Sequence, residues 1–110
     1  MNKPATPPMP AYLAGSLAAR WNELAPELSA MGCLDELNAD LLAKYILAEN
    51  NYLAVSNKVQ DALKAGDAEE TGKWLAAQDR LTKQILTLAD ELGLNPKARK
   101  ARGLIRGRKS

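Results

Sequence analysis

Two apolar stripes at coiled-coil spacing, joined by nothing more than Gly66-Asp67, constrain this chain more than any other feature. The first runs Leu41, Tyr45, Ala48, Tyr52, Val55, Val59, Ala62, and the second Trp74, Gln78, Leu81, Ile85, Leu88, Leu92, both in alternating steps of four and three. Such steps return a side chain to one face of an α-helix, whereas a strand repeats every two residues. Gly66 can take the left-handed backbone that ends a helix, and Asp67 can cap the next one. A connection this short leaves only an antiparallel helical hairpin. Its helices are expected from a cap at Asn38 or Asp35 to about Ala65, and from Asp67 to Leu92, where Gly93 ends the second. Asp67 and Glu70 also have capping-box spacing. Gly72 is a weak point of about 1 kcal/mol, tolerable if a neighbouring helix packs closely against it.

Composition agrees with an all-α fold. Alanine (19) and leucine (18) far outnumber the nine valine, isoleucine and threonine residues that favour strands. A shorter first helix is expected from Ser16, capped by its hydroxyl, burying Leu17, Trp21, Leu24 and Leu28 and stopping at Gly32. Pro26 inside it predicts a kink or restart. The expected architecture is a short kinked N-terminal helix packed on a long antiparallel hairpin, followed by a short basic C-terminal helix or tail. In domain terms, residues 1–12 form a flexible Pro-rich arm, 13–94 a helical oligomerisation domain, and 95–110 a basic segment.

The hairpin is long for its chain. A helix from Asn38 to Ala65 rises roughly 42 Å, against a diameter of roughly 34 Å for a compact globule of this length. The first helix can cover only part of it. A second stripe on the same helix, Leu42, Ile46, Leu53 and Leu63, is therefore expected to be buried by another subunit, as an oligomer interface.

The net charge of +2 conceals two opposed blocks. Lys97, Arg99, Lys100, Arg102, Arg106, Arg108 and Lys109 crowd the last fourteen residues with no acid among them, while residues 1–96 hold eight cations and thirteen carboxylates. Asn95 and Pro96 suit the start of a short basic helix. A solvated tail accounts for such composition, and so does polyanion binding. Seven phosphate contacts on duplex DNA would give a salt slope of about −6. The tail has no aromatic residue, which argues against stacking on single strands, and Leu104 and Ile105 alone make a poor membrane anchor. Lys44, Lys58 and Lys64 on the second helix are lesser candidates, for the inner surface of an assembled oligomer.

Several classes of chemistry lack their residues. There is no histidine, and Cys33 is the only cysteine, so histidine-dependent catalysis and a structural zinc site are excluded. Cys33 reads as a small apolar packing residue of a reducing compartment. The pairs Asp35/Glu36, Glu69/Glu70 and Asp90/Glu91 fit helix ends and solvated faces better than acid/base work. No Gly-rich phosphate loop occurs. No catalytic residue, metal or cofactor is expected. Four prolines among the first ten residues break up the uncharged N-terminal stretch, which is neither a membrane span nor a signal peptide. A soluble cytoplasmic protein is expected.

Taken in order, several segments resemble the phage terminase small subunits of the short, all-helical type. They are Leu13; Trp21-Asn22-Glu23-Leu24-Ala25-Pro26-Glu27-Leu28; Met31-Gly32-Cys33-Leu34; Leu37 through Tyr45; and Leu92-Gly93-Leu94-Asn95-Pro96-Lys97-Ala98-Arg99. Asn38 stands where the family often has aspartate, keeping the capping chemistry, and Cys33 stands where it often has leucine. The resemblance implies a non-enzymatic component of a genome-packaging motor in the host cell cytoplasm. Such a protein binds the packaging initiation region of double-stranded viral DNA, assembles as a homo-oligomeric ring, and delivers DNA to a large subunit with ATPase and nuclease activities. The alternative is a protein-interaction adapter whose basic tail docks on an acidic partner.

Overall fold

A computed structural model of the chain describes residues 6–94. Three helices account for most of them: α1 (Ser16–Ala30), α2 (Ala39–Ala65) and α3 (Ala68–Leu92). No strand occurs among the described residues. Helices α2 and α3 pack along their length as the expected hairpin, and α1 packs on α2. The radius of gyration is 16.9 Å, against about 13 Å for a compact chain of 100 residues. The two long helices draw the molecule out.

The turn follows from its residues. Gly66 adopts φ 70°, the left-handed conformation that suits glycine, and Asp67 accepts a 3.0 Å bond from the Glu70 amide. The reciprocal half of the capping box is not made. Glu70 instead accepts from Trp74 Nε1 at 3.0 Å and pairs with Lys73 at 3.6 Å, so its carboxylate points along the helix. Partway down the hairpin, Gln78 Nε2 donates to Ser56 Oγ at 2.9 Å. This is the one polar position in the α3 stripe, and its bond ties the register of the two helices.

The core lies at the open end of the hairpin. Leu13, Trp21, Ala25, Leu28, Cys33 and Leu34 form one buried cluster with Leu42, Ala43 and Ile46 of α2 and Leu92 of α3. Toward the turn, burial falls to Val59 and Ala62, and no α3 residue before Leu88 is buried. Among the described residues the far half of the hairpin is thus a two-helix arm without a third layer.

Four expectations need correction. Leu42 and Ile46 are completely buried within the single chain, because α1 packs on their side of α2 and supplies the cover expected from another subunit. Only Leu53 and Leu63 of that stripe remain exposed. Ser16 does not cap α1; the N-cap position is Gly15, which has no side-chain acceptor. Asn38 occupies the N-cap position of α2 without capping it, since its side chain instead accepts from the Asp35 amide and donates to the Cys33 carbonyl, both at 2.8 Å. Gly72 faces open space, and a Cβ there would meet nothing within 4 Å.

Helix α1 continues through Pro26 as a single element. Pro26 is exposed, so water can satisfy the carbonyl that loses its helical donor. Of the Pro-rich arm, residues 6–12 are described, and Pro7 among them is buried. Residues 1–5 and 95–110 lie outside the described residues, and with them all seven C-terminal cations.

Candidate functional site

Residues seven apart share one side of a helix, so each hairpin helix carries one row of side chains on either side of the apolar seam. On one side α2 offers Lys44, Asn51 and Lys58, and α3 offers Lys73 and Arg80. These rows meet in a shallow groove of about 500 Å³ lined by Asn51, Ala54, Ala77, Arg80 and Gln84 together with seam residues Val55 and Leu81. Among the described residues Lys44, Lys58 and Arg80 have no ion-pair partner, whereas Lys73 is paired with Glu70 and lies 4.9 Å from the centre of the Trp74 ring. Lys64, six residues beyond Lys58, turns away from this row. Of the three sequence candidates on α2, Lys44 and Lys58 therefore belong together and Lys64 does not.

The other side is apolar. A groove of about 590 Å³ opens where α1 begins, lined by Leu17, Ile46, Tyr52, Leu53, Ile85 and Leu86, with Ser16, Arg20 and Glu49 at its rim. Leu53 is 64% exposed and Leu86 56%. Both project into water where α1 has stopped covering the hairpin. The stripe expected at Leu42, Ile46 and Leu53 is thus continuous, but α1 occupies its first two positions.

A charge cluster closes the rim. Arg20 Nε and Nη2 donate to the two oxygens of Glu49 at 3.0 and 3.1 Å, and Nη1 donates to Glu23 at 3.1 Å. The Glu49 bond holds the guanidinium charged against the opposing effect of burial, and Glu23 assists. Burial, followed by the nearby Glu49 carboxylate, raises the Tyr45 hydroxyl above its ordinary phenol range. Nothing in this cluster resembles a nucleophile with its base. Among the described residues no group of three or more His, Cys, Asp or Glu could hold a metal ion, and no described helix is long and apolar enough to cross a membrane.

Arg20, Arg80 and Leu86 escape a reading of the sequence, and Leu37 enters it only through the family resemblance. Arg80 has a signal, since it lies seven residues beyond Lys73, but the matching row on α2 becomes apparent only once the hairpin register is known. Leu37 precedes α2 in a segment with no periodicity, yet it is 94% exposed.

These features define a class: an all-helical hairpin protein with an apolar groove on one side of its arm and a row of cations on the other. Within that class the chain belongs to the phage terminase small subunits, whose family profile matches residues 18–104. Terminases serve phage packaging, and that is the role the family gives this chain. No curated protein and no solved structure matches it.

Proposed function

We propose that the chain is the DNA-recognition subunit of a packaging terminase. It assembles as an oligomeric ring, binds the packaging initiation region of double-stranded phage DNA in the host cell cytoplasm, and delivers that DNA to the large ATPase/nuclease subunit without catalysing a reaction itself. The family match carries this reading, because it spans the hairpin and runs on into the cationic end. Lys97, Arg99, Lys100, Arg102, Arg106, Arg108 and Lys109 contact phosphates, and Lys44, Lys58 and Arg80 add a weaker cationic row on the arm. Leu53 and Leu63 contribute to the subunit interface. Phosphate contacts position a duplex without reading its sequence.

Truncation at residue 96 tests the reading. Each phosphate contact on duplex DNA contributes about 0.9 to the slope of log affinity against log salt. Removing the tail should flatten the slope by up to about 6. An unchanged slope removes the tail from DNA binding. Absence of DNA binding at low salt, combined with tail-dependent capture of the large subunit, favours the adapter.

A further inference from the structure

The chain displays an apolar knob as well as an apolar groove, and the two lie apart. Leu37 is the most exposed large apolar residue described, at 94%. It stands on a turn locked by its own hydrogen bonds. Asp35 Oδ1 accepts from the Leu37 and Asn38 amides at 2.8 and 3.1 Å, Asn38 Oδ1 accepts from the Asp35 amide at 2.8 Å, and Asn38 Nδ2 donates to the Cys33 carbonyl at 2.8 Å. Buried Cys33 and Leu34 anchor the near end of this turn in the core. A leucine held outward on a rigid turn loses little further backbone freedom when it docks.

The groove offers matching chemistry. Its wall of Leu53, Ile85 and Leu86 is apolar, and at about 590 Å³ it is far larger than one leucine side chain needs. Helix α1 begins at its rim with no carboxylate in its first turn and no side-chain cap. That end favours an incoming anion. Beside Leu37 stands Glu36, exposed and without an ion-pair partner among the described residues. Leucine and carboxylate are adjacent on the turn, as apolar wall and helix N-terminus are adjacent at the groove.

We infer that Leu37 of one copy seats in the Leu53/Leu86 groove of a second copy, with Glu36 facing the start of its α1. The inference rests on the assembly reading above and gives it a direction. Leu53, the centre of the seat, lies sixteen residues along the chain from Leu37, a rise of roughly 24 Å at helical pitch, so one chain can use both at once. It then donates its knob to one neighbour and receives the knob of another. A contact between two different patches is heterologous and propagates head to tail, closing into a ring when the rotation allows.

Leu37→Asp and Leu53→Asp test this by native mass spectrometry and sedimentation, with helical circular dichroism as the check on folding. Both side chains are exposed, so the fold should survive; Leu37→Ser and Leu53→Ser replace either variant that unfolds. Wild type should form a multi-subunit species and each variant alone should be monomeric. Mixed one to one, the two variants should form a heterodimer and nothing larger, because the intact knob of Leu53→Asp fits the intact groove of Leu37→Asp. Wild-type-like assembly of Leu37→Asp, or absence of the heterodimer, overturns the knob and groove while leaving assembly in place. A wild-type protein that stays monomeric at all concentrations overturns the assembly reading itself.

Discussion

Arg20 of α1 clasps Glu49 of α2 through two parallel bonds, Nε to Oε1 at 3.0 Å and Nη2 to Oε2 at 3.1 Å. This bidentate pair fixes α1 to the hairpin at the point where α1 begins, and so marks where cover ends and the open groove starts. Both side chains are partly in water, which limits the pair to a modest contribution.

Glu49→Gln should therefore lower stability by no more than about 1 kcal/mol in chemical denaturation, while amide exchange at the start of α1 increases. A variant whose α1 amides exchange at wild-type rates would show that apolar contacts alone hold that end.

The same carboxylate has a consequence at high pH. The Tyr45 hydroxyl is raised above its ordinary value by burial and then by Glu49. The unfolded chain loses this proton near pH ~10, before the folded chain does. The stabilisation is full below that pH and is lost as pH rises through the folded value. Denaturation midpoints should fall in that window for wild type and fall less for Tyr45→Phe.

Leu42 and Leu53 share one stripe but have different fates, which substitution separates. Leu42→Ala should cost about 2–5 kcal/mol, as for a buried leucine that leaves a cavity. Leu53→Ala should stay within about 0.5 kcal/mol in the monomer, as an exposed change does. Equal losses at the two positions, measured on dilute protein, would contradict the division of the stripe by α1.

The hairpin is legible because its information is local. Steps of four and three, Gly66 and the Asp67 cap decide the helices and their direction without reference to the rest of the chain. What covers Leu42 and Ile46 is a tertiary question, and a stripe of leucines looks the same facing α1 or facing another subunit. Local competition hides the loop for a related reason. Asn38 has ideal capping chemistry, yet its side chain is used by Asp35 and Cys33, a choice that spacing does not encode. The two cationic rows also require the register, which becomes visible in the Ser56–Gln78 bond.

Gly72 lies in the first half of α3 with open space where a Cβ would sit. Gly72→Ala should stabilise the chain by about 1 kcal/mol, the difference in helix propensity, and raise the melting temperature by roughly 4–8 °C. A lower melting temperature would contradict the open space at this position.

The most direct test of the account is native mass spectrometry of the full chain, alone and with duplex DNA. The subunit mass is 11.9 kDa. The account predicts a multiple of that mass that takes up duplex DNA as one complex and releases it as salt rises. A species of 11.9 kDa alone, unchanged by DNA at low salt, would contradict it.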